Sequence, residues 1–214
     1  ECMIIGVTGF IGSGKDTVAN YLTTFHGYRR ISFAGTLKDA VAAVFSWDRE
    51  LLEGKTKESR EWREKVDEFW SKETGRTITP RLVLQEFGTE CMRNGFYDGI
   101  WVSLTKKHII DNPNTNFVIP DVRFPNEIRA IHNAGGIVIW VQRGELPSWH
   151  IMAAKANNGD IFAAEKLKAL GVHASETAWV GRDIDHIISN NTSIDELYTQ
   201  IKNLVSDHLV ATAA

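Results

Sequence analysis

Short apolar runs alternate along this chain with stretches whose apolar residues recur every three to four positions. Residues 3–9 (MIIGVTG) read as a buried strand that runs into a glycine-rich turn, and Thr17–Phe25 then has helical spacing. Tyr28–Ala34 is a second strand, and Thr36–Phe45 a helix with one apolar face. In the charged stretch Lys55–Glu73, Trp62, Val66, Phe69 and Trp70 recur at helical steps, which predicts one amphipathic helix. Its aromatics are read first as packing groups, and second as a candidate dimer face. Thr79 and Pro80, a good N-cap and a residue tolerated at the first helical position, open a helix through Gln85 toward Gly95. Ile100–Ile110 is a further helix.

The second half repeats the alternation. Asn116–Pro120 is a third strand, Pro125–Ala134 a helix stopped by Gly135 and Gly136, Ile137–Val141 a fourth strand and His186–Ser189 a fifth. Residues 144–172 are polar and partly helical. Ser193 and Glu196 form a capping box that opens a last helix toward Leu209. Strands apolar on both faces, each followed by a helix, predict an α/β protein: a five-stranded parallel sheet with helices on both faces. The 214 residues, 43% of them hydrophobic, suit one domain over 1–214.

Charge and cysteines narrow the class. With 24 Lys and Arg against 27 Asp and Glu, the net charge of −3 disfavours a protein that grips nucleic acid through its backbone. Cys2 and Cys91 belong to no metal-ligand pattern, and Cys91 is expected as a small buried group. Met3 reads as a natural start. The first residues lack a secretory layout and no apolar run is long enough to span a membrane, so a cytoplasmic protein is expected.

One motif carries chemistry. Gly9-Phe10-Ile11-Gly12-Ser13-Gly14-Lys15 fits the phosphate-binding loop GxxxxGK, between a strand and a helix as that motif requires. Glycines let backbone N–H groups approach phosphate oxygens, and the helix N-terminus adds positive potential. Lys15 would bridge the β- and γ-phosphates of ATP. The residue after the lysine is Asp16, where the motif usually has a hydroxyl, and Thr17 follows. Either could reach Mg²⁺, the expected cofactor. Asp121, at the end of the third strand, stands where P-loop enzymes keep an acid that assists the metal. Arg123 can fork onto a phosphate and Glu127 can pair with it. Arg143, after the fourth strand, and Arg182 are candidate lid arginines.

Taken together, Gly12–Thr17 (GSGKDT), Ser32-Phe33-Ala34 with Leu37-Lys38, Leu84–Glu90 (LQEFGTE), Trp101, Asp121–Glu127 (DVRFPNE), His173–Glu176 (HASE) and Ile188–Asn190 resemble the deoxynucleoside monophosphate kinases of tailed phages. The resemblance spans nearly the whole chain. It implies a three-layer P-loop kinase fold, with an acceptor-binding helical region at about 46–111 and a lid at about 143–180, and the reaction ATP + dNMP → ADP + dNDP. By position it implies ATP contacts from Gly9, Gly12, Ser13, Gly14, Lys15, Asp16, Thr17 and Asn190, the last near the adenine. Phe33, Lys38, Arg81, Gln85, Thr89, Trp101, Arg123 and Glu127 would serve the dNMP. Lys15, Asp121, Arg123 and Arg143 would be catalytic, and Asp16, Thr17 and Asp121 would serve the metal. Trp101 is a candidate wall against a 2′-hydroxyl, worth ~10²-fold in selectivity. The alternatives are another small-molecule P-loop kinase, such as one acting on dephospho-coenzyme A, and a nucleotide-binding ATPase or switch. A phage gene would place the enzyme in the host cytoplasm.

Overall fold

The computed structural model describes residues 2–213. In chain order the elements are β1 (Ile4–Thr8), α1 (Lys15–Phe25), β2 (Arg29–Arg30), α2 (Gly35–Phe45), α3 (Arg49–Glu53), α4 (Lys57–Glu64), α5 (Glu68–Thr74) and α6 (Pro80–Gln85). A π-helical segment (Glu86–Asn94) follows, then α7 (Ile100–Asp111), β3 (Phe117–Ile119), α8 (Pro125–Asn133) and β4 (Ile137–Gln142). The chain closes with α9 (His150–Asn157), α10 (Ile161–Ala169), α11 (Ala174–Thr177), β5 (His186–Ser189) and α12 (Ile194–Ala213). They form two compact units: one of the residues up to Ser32 and from Lys106 onward, the other of Phe33–Thr105. No helix among the described residues is long and apolar enough to cross a membrane.

The first unit holds the sheet, in the order β2-β3-β1-β4-β5 with every pair parallel. The register sets Ile5 beside Val118 on one side and Ile137 on the other. Successive strand residues face opposite ways. Ile5 and Val7 therefore join Val18 and Leu22 of α1 and Leu197 and Ile201 of α12 in one buried cluster. Gly6 faces Ile131 of α8, where an added Cβ would come within 2.5 Å of the Ile131 side chain. Helices thus cover both faces, the three-layer α/β arrangement expected from the alternation.

The expected second strand is shorter than its apolar run. Only Arg29 and Arg30 pair in register, and Ile31 N–H adds one bond to Val118 O before the chain turns toward α2.

The second unit is helical, around Val41, Leu52, Ile78, Val83 and Leu84. The single helix expected over Lys55–Glu73 is two helices. Lys65 leaves the helical conformation, and Asp67 caps α5 by accepting from Trp70 N–H while its own N–H donates to Ile78 O. The break turns Trp62 and Trp70 onto the unit's core and leaves Val66 and Phe69 exposed. The helix from Pro80 also changes character, widening to π geometry at Glu86. Cys91 lies on that segment and is exposed, contrary to the expectation that it is buried.

Candidate active site

The turn between β1 and α1 sits at the carboxyl edge of the central strand, where connections leave to opposite sides and ligands of open α/β sheets collect. Gly14 is the N-cap of α1 at φ 103°, and an added Cβ there would meet the Asn190 amide at 2.5 Å. A side chain at Gly9 would strike Ser13 Oγ and Val141 O, both at 2.6 Å. Glycine at these two positions is what allows the loop to close. Asn190, just past β5, donates to Ser13 O at 2.9 Å, and its own N–H donates to Gln142 O at 2.7 Å. Asn190 therefore ties the phosphate loop to the ends of β4 and β5.

Lys15 folds back on its own loop, its Nζ donating to Gly9 O at 2.8 Å and Phe10 O at 3.2 Å. Burial and the Arg123 guanidinium lower its pKa to about 8, against the opposing pull of Asp16 and Glu176. A cleft above the loop is lined by Gly9, Phe10, Lys15, Asp121, Arg123 and Glu176, among others. Four of these six, Gly9, Lys15, Asp121 and Arg123, are ones the sequence marks for a role in phosphate transfer. Glu176, on α11, belongs to the HASE stretch and has no role expected from the sequence. Phe10 anchors the loop, packing against Trp149 and Trp179 at ring separations of 5.4 and 4.8 Å. Trp149 and Trp179 fall in the region expected as a lid, so loop and lid region share one aromatic cluster.

The expected metal ligands divide. The Asp16 carboxylate is taken up by Arg30, on the outside of α1. Thr17, in the first turn of α1, and Asp121, in the cleft, offer hard oxygen donors, which suit Mg²⁺. Glu127 is buried in the first turn of α8, and Arg123 lies in the connection just before that helix. Arg143 is exposed past β4, outside the residues that line the cleft, and Arg182 Nε donates to Ala178 O at 3.1 Å.

The second unit carries the other expected acceptor residues. Phe33 is buried. Lys38 Nζ meets Glu53 Oε1 at 3.3 Å, and Glu53 also accepts from Arg49 at 2.6 Å. Burial raises the Glu53 carboxyl, but the Arg49 hydrogen bond and the Lys38 and Arg49 charges outweigh it and hold the pKa at about 2. Arg81 pairs with Glu64 at 2.6 Å, and Gln85 and Thr89 are exposed on successive turns of α6 and the π-helical segment. Trp101 is only 6% exposed, and its Nε1–H donates to Gly88 O at 3.1 Å. The ring braces the segment that presents Gln85 and Thr89. Helices with π geometry occur often at functional sites.

The sequence is also similar to known proteins. The family model described as deoxynucleotide monophosphate kinase matches residues 51–201. A protein of Acanthamoeba polyphaga mimivirus, provisionally named as a deoxynucleotide monophosphate kinase, is 30% identical over 96% of this chain and 97% of its own. The deoxynucleotide monophosphate kinase of Enterobacteria phage T4 is 29% identical over 58% of this chain and 44% of its own. The deoxynucleoside-5'-monophosphate kinase of Escherichia phage T5 is 27% identical over 58% of this chain and 70% of its own. With a cleft that gathers the phosphate-loop lysine, an acid and an arginine, and a family match over most of its length, the chain belongs to the deoxynucleotide monophosphate kinase family.

Proposed function

We propose that this protein transfers the γ-phosphoryl group of ATP to the 5′-phosphate of a deoxynucleoside monophosphate, giving ADP and a deoxynucleoside diphosphate. The observation that carries the reading is the cleft in which Lys15, Asp121 and Arg123 meet over the phosphate loop. The loop N–H groups and α1 hold the ATP phosphates. Lys15 leaves the Gly9 and Phe10 carbonyls and spans the β- and γ-phosphates. Arg123 lies against the transferring group and offsets charge as it builds on the equatorial oxygens. The acceptor's phosphate is already an anionic nucleophile, so no side chain has to remove a proton. Catalysis is alignment plus charge neutralisation.

Thr17 and Asp121 are the residues that would hold Mg²⁺, with Asp16 engaged by Arg30 instead. The metal, when bound, supplies charge neutralisation at the β- and γ-phosphate oxygens. Lys38, Arg81, Gln85 and Thr89 serve the acceptor, and Trp101 supports the segment that reads it. The enzyme works on the cytoplasmic nucleotide pool.

ADP release is measured with Mg-ATP alone and then with each dNMP, each NMP and dephospho-coenzyme A. Release stimulated by dNMPs, and weakly or not at all by dephospho-coenzyme A, is the expected result. Release at one rate whatever the acceptor would reassign the protein to the ATPases.

A further inference from the structure

Within the second unit several cations are held by carboxylates of the same unit. Lys38 and Arg49 share Glu53, Arg76 has Glu86, and Arg81 has Glu64. Arg63, in the last turn of α4, is different. It is partly buried, makes no ion pair among the described residues, and its Nε is sealed from solvent with no hydrogen-bond partner. The two carboxylates whose charge reaches it, Glu53 and Glu64, are the ones already paired with other cations. Burial first, and then the like charges of Arg81 and Arg60, disfavour its protonated state.

The fold also makes room for this group. Gly54 ends α3 at φ 73°, and an ideal Cβ there would lie 2.3 Å from Arg63 Cζ, 2.4 Å from Nη2 and 2.7 Å from Nη1. The guanidinium is laid against glycine backbone where any side chain would displace it. A partly desolvated cation crowded by another arginine is costly unless an anion joins it. A guanidinium fork matches phosphate oxygens.

We infer that Arg63, seated on Gly54, binds the 5′-phosphate of the acceptor nucleotide beside Arg81. This deepens the kinase reading and rests on it. The acceptor's dianion supplies the charge that the unit's own carboxylates do not.

Wild type, Arg63→Gln, Arg63→Lys and Gly54→Ala are compared by steady-state kinetics and thermal melting. Arg63→Gln should raise the KM for dNMP at least tenfold while the KM for ATP stays within twofold. Arg63→Lys should recover part of the loss, since it restores charge without the fork. Gly54→Ala, which keeps the arginine but shifts it, should raise the KM for dNMP less than Arg63→Gln does. A KM for dNMP within twofold of wild type in folded Arg63→Gln overturns the inference, whatever happens to the melting temperature. Should Arg63→Gln not fold, an unchanged KM in Gly54→Ala overturns it instead. If wild type gives no dNMP-dependent ADP release, the kinase reading itself has failed. The anion site is then tested alone: inorganic phosphate should raise the melting temperature of Lys15→Ala protein and lose that effect in Lys15→Ala/Gly54→Ala. An equal rise in both overturns the site.

Discussion

At the scale of single residues, Lys15 is the group whose chemistry is most exposed to test. Its pKa of about 8 belongs to the free loop, where burial and Arg123 disfavour the charge. ATP phosphates reverse that balance and raise it. Below about pH 8 the lysine is protonated with and without ATP. Above it the free protein has lost a proton that the complex keeps. ATP binding should therefore take up a proton at pH 8.5 to 9 and weaken as pH rises there. Calorimetry in two buffers of different ionisation enthalpy measures the uptake. No uptake at pH 9 contradicts the assignment of that pKa to Lys15. Trp101 makes a second residue-scale prediction. Trp101→Phe keeps an apolar ring but removes the bond to Gly88 O, so it should cost about 1 kcal/mol by urea unfolding. The preference for dNMP over NMP should change less than twofold, because the apolar ring stays in place. Lys15, Asp121 and Arg123 were legible because a motif fixes their place in the chain. The burden on Arg63 was not, because it depends on Gly54, Glu53 and Glu64 meeting through the fold.

At the scale of elements, the sequence pattern predicts one helix over Lys55–Glu73 where the structure has two, α4 and α5. The 3–4 residue spacing of Trp62, Phe69 and Trp70 fits a single helix. The competing signal was Asp67, a good N-cap, and it prevails because its N–H also finds Ile78 O. Asp67→Ala should therefore cost about 1 kcal/mol, read as a lower urea midpoint with unchanged slope. A change within error would mean that packing of Trp62 and Trp70 alone sets the break. The cluster joining α2 and α3 makes a pH prediction. The Glu53 carboxyl titrates near 2 in the folded protein, below its ordinary 4.5. Its stabilisation is fully present above pH 4.5 and is lost as pH falls toward 2. Glu53→Gln should be less stable than wild type at pH 7, on the order of 2 kcal/mol, and the two should converge by about pH 2. A difference that does not shrink in acid would assign the effect to packing instead.

At the scale of the whole molecule, the parallel sheet was the most legible feature. Runs such as Ile4–Thr8 and Ile137–Val141 are apolar on both faces, and only a sheet covered on both sides buries them. The order β2-β3-β1-β4-β5 puts the glycine turn on the central strand, so the motif and the topology point to one edge of the sheet. What spacing cannot reveal is an edge strand's length or a helix that widens, since both depend on partners distant in sequence. The proposed reaction sends the γ-phosphoryl group of ATP to a nucleotide phosphate rather than to water. It is tested most directly by following γ-labelled ATP in a single turnover with a mixture of dNMPs, with Lys15→Ala as control. Label should appear in deoxynucleoside diphosphate, and Lys15→Ala should slow its transfer by about 10²–10³-fold. Label appearing only as inorganic phosphate, at the same rate with and without dNMP, would contradict it.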